Sequence, residues 1–272
     1  MRVFARSIVE QGDVNRGTRR ATAPRELERI IGGEDVPPGG YPSCVCIGDA
    51  TRWFCSGALI GPRVVLTAGH CGAGITRIMV AGNRVSPWLD SAARVIAVQS
   101  VYLHPEYRAP SNENDINLLI LAEQANLPPV PLASSAQLQS AEGIELVGFG
   151  YNDPSRPLGF GTKRQVHVPM APILGLAPGE NLTGLEAQLG FHSAYEFVAG
   201  RKGLGIDTCN GDSGGPAYLK DPTLGPLLAG LTSRATRSGT QPCGDGGIYV
   251  RPDVFASWIR DTLARAAIPW PV

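Results

Sequence analysis

Asp207-Thr-Cys209-Asn-Gly211-Asp212-Ser213-Gly-Gly-Pro216 is the stretch that decides how the rest of this 272-residue chain is read, its fold included. A serine hydroxyl at its own pKa is a weak nucleophile. It needs a base within hydrogen-bond reach, and the base needs a third group to fix its tautomer. The glycines at 211, 214 and 215 around Ser213 permit unusual backbone dihedrals and close approach of a substrate. They also let the N–H groups of Gly211 and Ser213 point into one small space, where each donor to an oxyanion is worth about 2.7 to 4 kcal/mol. Two other segments hold the complementary residues, Leu66-Thr-Ala-Gly-His70-Cys71 and Asn114-Asp115-Ile-Asn-Leu-Leu-Ile-Leu121. Taken singly, His70 reads as a core histidine, Asp115 as a turn carboxylate and Ser213 as part of a flexible loop. Taken together they supply a nucleophile, a base suited to neutral pH and a carboxylate to orient that base.

The three segments, in the order His, Asp, Ser, resemble the trypsin/chymotrypsin family of serine endopeptidases, and the resemblance runs from about Ile30 to Ala266. It implies that His70 is the general base, that Asp115 orients it, that Ser213 attacks the scissile carbonyl, and that Gly211 and Ser213 form the oxyanion hole. It further implies an all-β fold of two six-stranded antiparallel β-barrels packed together, with a C-terminal α-helix. The first barrel is expected at about 30–133, the second at about 134–252 and the helix at about 253–266, with the site in the cleft between the barrels. The partners implied are protein or peptide substrates and protein inhibitors. A monomer without cofactor or metal is expected.

Arg29-Ile30-Ile31-Gly32-Gly33 resembles the activation site of the family's zymogens, which makes residues 1–29 a leader. Cleavage after Arg29 would free the Ile30 amino group to pair with Asp212 and settle the oxyanion loop. Asp207, six residues before Ser213, matches the floor of the primary specificity pocket, where a carboxylate pairs with a substrate Arg or Lys. Ser233 matches the pocket wall, and Gly247 matches the glycine that keeps the pocket open. Arg29 is itself such a cleavage site, so self-activation fits.

Composition agrees with this reading. Lys plus Arg and Asp plus Glu each number 24, so nothing electrostatic points to nucleic acid or an anionic membrane. No stretch approaches the roughly 18 apolar residues of a membrane span. The 34 glycines and 23 prolines favour short strands joined by turns. β-branched runs at Cys44 to Gly48, Ala58 to Ile60, Val64 to Leu66, Arg77 to Ala81, Arg94 to Leu103 and Ile116 to Leu121 form a first set of strands. A second set is read at Ile144 to Gly148, Arg164 to Met170, Pro216 to Leu219, Leu227 to Thr232 and Gly247 to Val250. By themselves these fit two barrels or two sandwiches. Ala125 to Gln139 reads as the connection between halves. Thr183 and Glu186 have capping-box spacing for helical turns up to about Phe197. Asp253 reads as the N-cap of a helix whose apolar face carries Val254, Phe255, Trp258, Ile259 and Leu263.

Six cysteines in a loop-rich chain lean towards disulfides and an oxidising compartment, hence secretion, against the alternative of free thiols. The family resemblance pairs Cys55 with Cys71 and Cys209 with Cys243. Cys44 and Cys46 have no partner by that comparison, and two thiols or a labile bridge are expected there rather than a metal site. The first 29 residues hold seven arginines and no apolar run longer than three residues, so they lack the core of a secretory signal. Asn181-Leu-Thr183 is a glycosylation sequon. The match frays at Leu231-Thr-Ser-Arg-Ala235, where Arg234 and Ala235 replace an aromatic and a glycine. A cation near the pocket mouth could repel a basic substrate and the Ala235 methyl could narrow the entry, which leaves the fine specificity open. Two rival readings follow: a catalytically inactive homologue that acts as a binding protein, and an active peptidase of non-basic specificity.

Overall fold

A computed structural model describes residues 33–151, 159–171, 182–241 and 243–270. The first half forms a closed barrel of six antiparallel strands: β2 (Cys44–Gly48), β3 (Trp53–Gly61), β4 (Val64–Thr67), β5 (Arg77–Val80), β6 (Arg94–Leu103) and β7 (Asn117–Leu121), ordered β2-β3-β4-β7-β6-β5. The second half is a sheet ordered β1-β9-β8-β11-β12-β13-β10. Its members are β1 (Glu34–Asp35), β8 (Gly143–Gly148), β9 (Arg164–Pro169), β10 (Glu196–Ala199), β11 (Pro216–Asp221), β12 (Gly225–Ala235) and β13 (Gly247–Val250). A single bridge between Met170 and Ala199 joins the ends of β9 and β10, so six of these strands close a second ring. β1 pairs with the outside of β9 through Glu34–Gln165 and Asp35–Arg164.

β2 illustrates how the halves meet. Every residue of Cys44–Gly48 is buried, because alternate side chains enter two different cores. Val45 and Ile47 pack inside the first barrel with Leu59, Val65, Ile78 and Leu119. Cys44 and Cys46 face the other way, into a core shared with Val147, Phe149, Tyr218 and Leu231 of the second half. That double burial explains why the strand reads as a continuous apolar run instead of an alternating one. Both cysteines are free thiols. Burial pushes the Cys44 thiol up to about 12 and Cys46 well above its ordinary value, so both stay protonated.

The helices correct parts of the sequence reading. α2 spans only Leu182–Leu189, and Phe197 lies in β10. The capping-box spacing drew the helix too far because β10 pairs with β13 along its whole length, and those ladder bonds override local propensity. α3 (Ala256–Arg265) begins at Phe255, with no side-chain cap. Asp253 instead accepts hydrogen bonds from Arg251 and Ser135 at 2.7 Å. The interdomain connection contains α1 (Ser135–Gln139), closed by a reciprocal capping box between Ser134 and Gln137. The sequon asparagine, Asn181, lies outside the described residues.

Candidate active site

His70 sits in a short 3-10 turn, Gly69–Cys71, directly after β4. Asp115 lies two residues before β7, the strand beside β4 in the ladder, and is fully buried. This adjacency brings residues 45 apart into contact: the His70 backbone N–H donates to Asp115 Oδ1 at 2.7 Å, and Nδ1 lies 2.8 Å from Oδ2. A carboxylate only accepts, so Nδ1 donates, and of the two neutral tautomers this contact selects the one with its lone pair on Nε2. Ser233 adds its hydroxyl to the same Oδ2. Ser233 is the bulged residue of β12, between Thr232 opposite Tyr249 and Arg234 opposite Ile248. The bulge turns its side chain onto Asp115, and its hydroxyl is committed there.

The Gly211–Gly214 loop is held from both halves. Ser56 N–H donates to Ser213 O at 2.9 Å, and Gly214 N–H donates to Thr232 O at 2.7 Å. Gly214 has φ +75, and a Cβ there would collide with Thr67 Oγ1, the Ala68 nitrogen and Ser56 O. Only glycine lets the residue after Ser213 lie against the chain leading into His70. Gly211 has φ +96, with Phe160 and Gly150 against the side where a Cβ would stand.

Asp212 is buried beneath this loop. Its carboxylate accepts N–H bonds from Gly150 and Cys209, both at 2.8 Å. Burial pushes it up to about 6, while those N–H groups and the Arg164 charge pull the other way. Asp207 is 2% exposed. It accepts from Thr208 N–H at 2.7 Å and from the Tyr249 hydroxyl at 2.9 Å, and burial pushes it too up to about 6. Gly247 lies beside it, where a Cβ would stand 3.1 Å from Asp207 Oδ1. The Cys55–Cys71 and Cys209–Cys243 bridges are both formed. One ties β3 to the His70 turn, and the other ties the loop ahead of Ser213 to the segment before β13. Arg29 and Ile30 lie outside the described residues.

The structure thus fixes an imidazole on a buried carboxylate, in a turn whose Cys71 Sγ lies 3.7 Å from Ser213 O. The family model described as Trypsin matches residues 30–259. The chain belongs to the trypsin family of serine endopeptidases. Among curated proteins, it is 26% identical to human Kallikrein-15 over 90% of this chain and 95% of that protein. It is 28% identical to mouse Kallikrein 1-related peptidase b24 over 89% and 93%. It is also 28% identical to human Serine protease 56, over 92% of this chain and 42% of that longer protein.

This trypsin-family chain departs from the expectation at Arg234. Its guanidinium forms a bidentate pair with Glu196, at 2.7 and 2.9 Å, and donates to Gly190 O. Glu196 sits fully buried on β10, and the Arg234 side chain is 19% exposed. The charge is therefore neutralised within the second barrel rather than presented to a substrate, which corrects the expected repulsion. Sequence reading missed Glu196 because its partner lies on another strand, 38 residues away. Glu196→Gln is expected to strand the guanidinium and to lower unfolding free energy by about 3 kcal/mol, read by denaturant unfolding. Replacing both residues with leucine is expected to cost less than that single change.

Proposed function

We propose that the chain is an active serine endopeptidase, made as a zymogen, that cleaves after Arg or Lys through an acyl-enzyme. The observation carrying the reading is the buried Asp115 carboxylate on His70 Nδ1, since it leaves Nε2 as the base. His70 takes the Ser213 proton as Oγ attacks the carbonyl carbon. Asp115 balances the imidazolium, and the N–H groups of Gly211 and Ser213 receive the oxyanion. The imidazolium then returns its proton to the leaving amine, and water repeats the sequence on the ester. Asp207 pairs with the substrate cation, and Gly247 leaves room for it.

Activation is part of the same proposal. Asp212 is a buried carboxylate that accepts two backbone N–H bonds and whose burial still raises it to about 6, so an ammonium would relieve its desolvation. β1 runs along β9, and Arg164 of β9 donates to Gly150 O. Gly150 N–H in turn holds Asp212, and Ile30 precedes β1 by four residues. Peptide amides with Arg, Lys, Phe or Ala before the scissile bond should be assayed before and after cleavage at Arg29. Turnover of Arg and Lys substrates that rises at least about 10²-fold on cleavage, and no rise in Arg29→Gln, is expected. Turnover of Phe or Ala substrates alone would overturn the specificity. Disulfides fit an oxidising compartment, and among the described residues no helix is long and apolar enough to cross a membrane. Export is accordingly included in the proposal.

A further inference from the structure

Ser56 lies on β3 of the first barrel, fully buried, and every polar atom of it is used. Its hydroxyl donates to Gly211 O at 3.0 Å and accepts from Phe149 N–H at 3.1 Å. Its N–H donates to Ser213 O at 2.9 Å. Its carbonyl accepts from the Thr67 hydroxyl at 2.8 Å. A hydroxyl has one proton, and with Phe149 approaching a lone pair that proton is directed at Gly211.

The consequence concerns where the Gly211 N–H points. Gly211 adopts φ +96 and has no side chain to limit its turning. The peptide plane before it is fixed by Tyr151 N–H on Asn210 O at 2.9 Å. The plane after it is fixed by the Ser56 hydroxyl. Between these anchors the dihedrals of Gly211 are set, and with them the direction of a donor whose value depends on lying in place before the charge develops. We infer that Ser56 is a positioning residue for oxyanion stabilisation, its side chain holding Gly211 while its backbone holds Ser213. The inference rests on the peptidase reading. It assigns Ser56 no contact with substrate.

The test uses the protein cleaved after Arg29, carrying Ser56→Ala or Ser56→Gly. Four quantities are measured beside wild type: kcat and KM on a peptide amide, inhibition by a peptide aldehyde, and the fraction of sites labelled at completion by a fluorophosphonate. The aldehyde accepts Ser213 Oγ at its carbonyl carbon. The serine proton passes to His70, and the carbonyl electron pair becomes an oxyanion in the same hole. Expected is a kcat lower by about 10- to 100-fold, KM within twofold, aldehyde affinity weakened by a similar factor, and a full complement of labelled sites. A kcat within twofold of wild type would overturn the assignment. So would a loss of turnover matched by a loss of labelled sites, which is the signature of a misfolded fraction. If wild type itself shows no Ser213-dependent turnover, the peptidase reading falls and this inference with it, and that result is visible before any Ser56 variant is compared.

Discussion

Ser213→Ala is expected to lower amide turnover of the Arg29-cleaved protein by about 10⁶-fold. The size follows from how the residues act together. In the proposed mechanism His70 acts through the Ser213 proton, taking it and passing it to the leaving amine, and Asp115, 2.8 Å from Nδ1, fixes the His70 tautomer and balances the imidazolium. Without the nucleophile, both lose their task. A second substitution, His70→Ala in the Ser213→Ala background, is therefore expected to remove little more. Activity left in either variant would come from binding and from the N–H groups of Gly211 and Ser213 acting on attack by water. Substrate binding should survive, because Asp207 and Gly247 are untouched. Steady-state turnover with an active-site titration checks this. Residual turnover above about 1% would point to a contaminating peptidase or a different nucleophile. Turnover absent from wild type and variant alike, with Ile30 confirmed as the new N-terminus, would favour the binding-protein alternative.

How the sequence related to the fold can be traced through three residues. Ser213 was legible because its glycines have backbone reasons that leave a pattern in the sequence: a Cβ at 214 would strike Thr67 and Ala68. β2 was legible as a strand, but not its double burial, since an apolar run does not say that two cores share it. Arg234 was legible only as a departure. Its charge suggested a repulsive pocket mouth, whereas Glu196 meets it from the neighbouring side of the second barrel. A pair across 38 positions has no local signal. Ser56 was silent for the same reason: a serine two residues before Ala58 in an apolar strand announces nothing until β3 is laid against the Gly211 loop. What the chain writes locally is its turns, its strands and the glycine-flanked Ser213 motif. What it does not write is which strand faces which.

Asp207→Ser is expected to lower kcat/KM for Arg and Lys substrates by about 10²- to 10⁴-fold, with little change for an Ala substrate. A substrate cation drawn into the pocket without its carboxylate is left unpaired, a loss of about 3 to 5 kcal/mol. The pH dependence distinguishes this from a change in pocket shape. Burial holds the free Asp207 carboxyl up to about 6, above the ordinary carboxylate range. A bound cation favours the ionised form and lowers that value. Below about pH 6 the free protein must therefore give up a proton to bind a basic side chain, and affinity rises with pH up to about 6 and then levels. Measured as Kd for an amidinium ligand, which is not turned over, this keeps the catalytic steps out of the reading. Asp212 is also held up to about 6, the nearby Asp207 charge adding to the effect of its burial, so wild type alone would mix the two. The difference between wild type and Asp207→Ser isolates one of them: the variant should keep whatever slope Asp212 imposes and lose the rest. A variant that binds the amidinium as tightly as wild type at pH 8 would place the specificity determinant elsewhere, and the reading of Arg29 as a self-cleavage site would go with it.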